Sequence, residues 1–208
     1  MKTHFIIPLV LMCLVSFPSW GLTMDDLVQR EGLYYQKFTD VPFTGEIDEG
    51  LERGNFKNGK KDGMKIIYHE NGQLFYKGEY KNGKREGTWI SYHENGQLNF
   101  KNNWKNGRPE GSWINYYDDG QLQYEGEYKD GFQEGSWIGY HENGELRYKG
   151  EFKNGKREGT YISYHNNGQI SFKGEYKNGK KEGTSVEYSW NGQLISKFEY
   201  KDGYIISD

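Results

Sequence analysis

Four large rings stand at one spacing. Trp89, Trp113, Trp137 and Tyr161 recur every 24 residues, and a row of flat amphipathic rings could stack on sugars or on a partner chain. The row stops at Lys65 on one side and Ser185 on the other, so a binding surface built on it would be central. The alternative is packing: each ring covers the glycines of its own repeat, Gly78 and Gly87 for Trp89. Four histidines, His69, His93, His141 and His165, share another repeat position. Imidazole is a metal ligand, but same-face copies two strands apart are about 9–10 Å from each other. They cannot share an ion bound at about 2.1 Å, and repetition of one template explains them. Ser91, His93 and Glu94 have the types of a nucleophile, a base and an orienter, which must converge in a pocket. In an extended chain they diverge, and one repeat later they have become Asn115, Tyr117 and Asp118. Asp118-Asp119-Gly120 lacks the spaced acids of a calcium loop. No catalytic residue, metal ligand or cofactor site is expected.

The elements that carry the rings follow from two series of glycines. Gly72, Gly96, Gly120, Gly144, Gly168 and Gly192 close "NGQL"-type phrases, and Gly59, Gly83, Gly107, Gly131, Gly155, Gly179 and Gly203 close "KNG"-type phrases. Both step by 24 without insertion, the mark of a repeat architecture. Between them the apolar residues alternate: Leu74, Tyr76 and Tyr80, then Thr88, Ile90 and Tyr92. A period of two means strand. About fourteen strands result, in a sheet about 65 Å long at roughly 4.8 Å per strand. Keeping even positions opposite even ones favours three-residue loops with Gly last, pairing Tyr80 with Lys84 and His93 with Gln97. On that register Leu74, Tyr76, Tyr80, Ile90 and Tyr92 share the buried face, with the Tyr92 series as its spine. Trp89 and its copies then project from the opposite, charged face, where Glu79 faces Arg85, Glu151 faces Arg157 and Glu175 faces Lys181.

The composition fits such a sheet. Only 34% of the 208 residues are hydrophobic, yet 17% are aromatic, and rings can cover a sheet without a thick aliphatic core. A net charge of −3 with Lys and Glu interspersed argues against nucleic acid, and the absence of a basic cluster argues against a membrane surface. "MKTHFIIPLVLMCLVSFPSWG" has the layout of a secretory signal cleaved after Gly21. Its apolar run of about thirteen residues is short of the roughly twenty of a membrane span. Cys13 is the one cysteine, and the bulky Met12 before it is unlike a lipoprotein signal. A periplasmic or secreted chain is therefore expected, with a signal over 1–21, a capping segment over 22–40 and a repeat domain over 41–208. Thr23 and two acids predict a short helix at Asp25–Arg30.

The unit "KGEYKNGKREGTW" (77–89), with its Gly78-Glu79-Tyr80, Gly83 and Gly87, resembles a MORN repeat. With "ENGQL" added it is similar to the bacterial MORN-variant repeats of the YwqK-type antitoxin family, whose opening strand "VPFTGEI" (41–47) also resembles. The resemblance implies an all-β, elongated, single-layer antiparallel meander of hairpin repeats that serves interactions and has no catalytic residues. Where MORN repeats carry a second glycine this chain has Trp89, which departs from the lipid-binding pattern. The expected partner is a protein, in an antitoxin-like or envelope-scaffold role. A glycan or cell-wall polymer stacked on the aromatic row is the alternative.

Overall fold

The computed structural model describes residues 21–207. The secretory signal read from the sequence lies outside the described residues, except for its last one, Gly21. A separate antiparallel pair, β1 (Leu27–Arg30) and β2 (Leu33–Gln36), precedes one long sheet. That sheet has fifteen strands in strict sequence order. They are β3 (Gly45–Ile47), β4 (Glu52–Lys57), β5 (Lys60–Tyr68), β6 (Leu74–Lys81), β7 (Lys84–Tyr92), β8 (Leu98–Lys105), β9 (Arg108–Tyr116) and β10 (Leu122–Lys129). After them come β11 (Phe132–Tyr140), β12 (Leu146–Lys153), β13 (Lys156–Tyr164), β14 (Ile170–Lys177), β15 (Lys180–Tyr188), β16 (Leu194–Lys201) and β17 (Tyr204–Ser207). Every pairing is between sequence neighbours and antiparallel, as the alternation and turn spacing predict.

The two turn types differ from each other. At the "NGQL" phrases the three-residue loop holds: His93 N–H donates to Gln97 O at 2.8 Å, and Gly96 N–H to His93 O at 2.9 Å. At the "KNG" phrases the expected three-residue loop is wrong. Lys81 pairs with Lys84 and Tyr80 with Arg85, leaving a two-residue Asn-Gly turn. Asn82 and Gly83 both have positive φ, 51° and 79°, which is the geometry that matches the twist of a hairpin. Two bulges then reset the pairing. Beyond Glu79–Glu86 the next pair is Lys77–Ile90, with Gly87 at φ 65° inside the bulge. Beyond Tyr92–Leu98 the next pair is Ser91–Phe100, which leaves Asn99 unopposed.

The faces change accordingly. Trp89, Ser91, Tyr76, Gly78 and Tyr80 share one side, and Ile90 and Tyr92 alternate to the other. The buried spine is thus the Trp file, and the Tyr92 series is half-buried. The ion pairs expected at Glu79–Arg85, Glu151–Arg157 and Glu175–Lys181 do not form, because Glu79, Glu151 and Glu175 stand opposite Glu86, Glu158 and Glu182. The like charges are relieved by the next repeat. Glu86 Oε2 accepts from Asn106 N–H at 2.8 Å, and Glu158 Oε2 from Asn178 N–H at 2.8 Å.

The N-terminal end also departs from expectation. Thr23 and Asp26 close a capping box, but the turn stops after Met24–Asp26 as a single 3-10 turn. The predicted helix at Asp25–Arg30 is strand β1 from Leu27 onward. Glu31 and Gly32, at φ 49° and 80°, form a hairpin turn that ties β1 to β2. Leu27 gains more by packing with Phe43, Ile47 and Phe56, the small aliphatic-aromatic core of the molecule, than one further exposed helical turn would supply. This core closes the first edge of the sheet: Asp48 N–H and Glu49 N–H donate to Leu22 O.

Candidate functional site

Side-chain bonds between turns hold successive repeats in line. His69, His93, His141 and His165 each bring Nε2 to the carbonyl of Tyr92, Tyr116, Tyr164 and Tyr188, at 3.0, 3.2, 2.9 and 3.0 Å. Tyr117 replaces His in one repeat and donates its hydroxyl to Tyr140 O at 2.8 Å. The histidine row is therefore a hydrogen-bonding column, which the sequence showed only as repetition. Among the described residues no three His, Cys, Asp or Glu side chains are grouped to hold a metal. The Ser91, His93, Glu94 trio does not assemble, since Ser91 is fully buried on the Trp side and His93 is engaged with Tyr116 O.

Asn71, Asn95, Asn143 and Asn167 form a second column. Each accepts from a backbone N–H within its own turn through Oδ1 and donates through Nδ2 to the next turn, as Asn143 does to Asn166 O at 2.6 Å. Asp119 occupies this position in one repeat, accepts from Gln121 N–H at 2.9 Å, and has no N–H with which to reach the next turn. Asp119→Asn should restore that bond and raise stability by about 1 kcal/mol. Urea unfolding checks this, and an unchanged or lowered midpoint would refute it.

The Trp file expected as an exposed ladder is the inside of an aromatic layer. Trp89 is 1% exposed and Trp137 2%. Each ring lies on a glycine of the neighbouring strand: a Cβ at Gly78 would fall 2.2 Å from Trp89, and one at Gly126 2.3 Å from Trp137. Trp89 is held between Tyr76 and Tyr80, at centroid distances of 5.6 and 5.0 Å, and Trp137 has Tyr128 edge-on at 5.1 Å. Trp113 and Tyr161 are half-buried. Opposite Trp113 the glycine is replaced by Asn102, a buried residue whose Oδ1 accepts from Ile114 N–H at 3.1 Å, so Trp113 loses the hollow its neighbours use.

Two rows of rings flank the file and remain half-exposed. Tyr76, Phe100, Tyr124, Tyr148 and Phe172 lie along one side, and Tyr80, Trp104, Tyr128, Phe152 and Tyr176 along the other. Desolvation raises the phenol pKa of Tyr76, Tyr128, Tyr148 and Tyr161, which keeps these hydroxyls neutral at ordinary pH. Cations cross the layer between repeats. The Arg85 guanidinium lies 4.5 Å from the Trp89 ring and 4.8 Å from Trp104; that of Arg157 lies 3.8 Å from Tyr161 and 5.2 Å from Tyr176. The opposite face carries Thr88, Ile90, Lys77, Glu79 and the half-buried Tyr92, and their copies.

A groove of about 410 Å³ lies by the loops at Tyr117, His141, Asn143 and Arg147. The hydroxyl of Tyr117, Nε2 of His141 and the amide of Asn143 there are already bonded to backbone, so it is a gap between turns and no reaction centre is assembled in it. The aromatic face is the candidate site.

Comparison with known families agrees with this geometry. The sequence model described as "MORN repeat variant" matches six tandem segments, 61–82, 85–106, 109–130, 133–154, 157–178 and 181–202, and that described as "MORN repeat" matches 53–64. A search of curated proteins returned no match. Each matched segment of the variant model runs from the second residue of one strand, through the three-residue loop, to the next Asn-Gly or Asp-Gly turn. MORN repeats are generally scaffolds for interaction with proteins or membranes, and proteins built from them are generally not enzymes. With the six variant segments spanning well over half of its residues, the chain belongs to the MORN repeat variant family.

Proposed function

We propose that this chain is a non-enzymatic scaffold that binds a protein partner in the cell envelope or outside the cell, an antitoxin-like or assembly role, through its aromatic face. One observation carries the reading: two rows of half-exposed Tyr, Phe and Trp rings run the length of one face, interleaved with Arg. These residue types dominate protein-binding hot spots. The rings are rigid because a packed Trp file lies between them, so little side-chain entropy is lost when a partner covers them. The location rests on the secretory signal read over residues 1–21. A glycan ladder needs open ring faces, and Trp89 and Trp137 are packed on both sides, which favours a protein.

A photo-crosslinking residue at Tyr128 should capture a polypeptide from envelope extract, and the same residue at Ser136, on the opposite face, should not. Capture from both faces alike, or sedimentation with peptidoglycan in place of any protein adduct, would refute the reading.

A further inference from the structure

One repeat position at the Asn-Gly edge of the aromatic face is cationic toward both ends of the sheet: Lys61, Arg85, Arg157 and Lys181. Lys61 Nζ lies 5.4 Å from the Tyr80 ring, the Arg85 guanidinium 4.5 Å from Trp89, that of Arg157 3.8 Å from Tyr161, and Lys181 Nζ 4.9 Å from Phe172. None of the four has a carboxylate partner: among the described residues the ion pairs are Arg30–Asp40 and Lys65–Glu52. The other long edge carries Glu70, Glu94, Asp118, Asp119 and Glu142 and no Lys or Arg in its turns. Net charge −3 hides this asymmetry.

We infer that the partner is an acidic polypeptide that lies along the aromatic face, with apolar side chains on the rings and carboxylates on the cationic border formed by Lys61, Arg85, Arg157 and Lys181. This deepens the reading of the aromatic face as a protein-binding surface and rests on it. The border is patterned: between Arg85 and Arg157 the same position is held by Pro109 and Gln133. A partner with separate acidic clusters around an apolar centre matches that pattern. A uniformly charged polyanion or a flat anionic bilayer would meet the uncharged gap, and the latter would also meet the acidic edge.

The probe is a labelled synthetic peptide of two Glu-Glu-Asp clusters joined by a Phe-Leu-rich centre, measured by fluorescence anisotropy on the full chain, with heparin and phosphatidylserine vesicles in parallel. Salt-sensitive binding of the peptide is expected. Lys61→Glu with Lys181→Glu should weaken it by about tenfold or more. Arg85→Gln with Arg157→Gln should do the same while circular dichroism stays unchanged. Binding unaffected by either pair of substitutions, or heparin or vesicles bound in preference to the peptide, would overturn the proposal. If Tyr128→Ala and Tyr148→Ala abolish partner capture while the charge reversals do nothing, the aromatic-face reading stands and this inference falls. If all four are neutral, both fall.

Discussion

Trp89→Ala should lower the stability of the protein by about 3–5 kcal/mol, the cost of emptying a packed site of a large ring. Gly78→Ala should cost about 3 kcal/mol for the converse reason. The added methyl would sit 2.2 and 2.3 Å from two Trp89 ring carbons, and the ring cannot retreat, because Tyr76 and Tyr80 flank it. The two losses should not add. With Trp89 already truncated, the methyl at residue 78 has room, so a double-mutant cycle should show a coupling of about 2 kcal/mol or more. Gly126→Ala and Trp137→Ala should repeat the result, and Trp113→Ala should cost less, since Trp113 faces Asn102 and is half-exposed. Urea unfolding of the five single variants and the two doubles makes the test. Additive losses, or Trp113 proving as costly as Trp89, would mean that the file is not the packed spine.

These magnitudes reverse an expectation from alternation alone, and the reason is local. The repeat length, the strand count and the three-residue loop at His93–Gln97 were all legible, because glycine spacing and period two report directly on backbone direction. The face of each ring was not. It depends on where the register slips, and the slips sit at Gly87 and Asn99, whose bulges leave no mark in a pattern of apolar and polar residues. The Asn82-Gly83 pair did signal a two-residue turn. Such a turn puts Ile90 and Tyr92 on the face opposite Tyr76 and Tyr80, against what alternation alone favours. The better clue was glycine itself: Gly78 has ordinary φ, so the turn argument does not account for it, and its lack of a side chain is what admits Trp89. The Trp file stands out in the sequence as the odd feature of each repeat, but an exposed ladder is not what it forms: Trp89 and Trp137 are the buried floor between the flanking rows. Those Tyr and Phe rows, which form the exposed part, look like core to alternation alone. The histidine and asparagine columns were visible as repetition, and their carbonyl partners one repeat away were not, since those bonds depend on how neighbouring turns stack.

Lys65 occupies the Trp position of the first repeat and is 2% exposed, with its Cδ over Gly54 and its ammonium paired with Glu52. Burial pulls its pKa from 10.5 down to about 8. The native chain therefore releases this proton more easily than the unfolded chain does. Below about pH 8 the ammonium is charged in both states, and the native state bears the full desolvation cost. Between about pH 8 and 10.5 the unfolded state binds more protons than the native one, so stability must rise with pH across that window, by at most about 3 kcal/mol. The Glu52 carboxylate works in the opposite direction and trims the gain. Tyr76 and Tyr148 oppose it as well, but only toward the upper end, because their raised pKa values make the native state hold its protons above the ordinary phenol range. The clean observable is thus the difference between the protein and Lys65→Met, which fills the same space without a charge. Unfolding midpoints measured from about pH 7 to about pH 10 should show Lys65→Met the more stable near neutrality, with the gap closing as pH rises. A gap that stays constant across the window would mean that Nζ keeps its water in the folded protein, and that the first repeat is open where the Trp file begins.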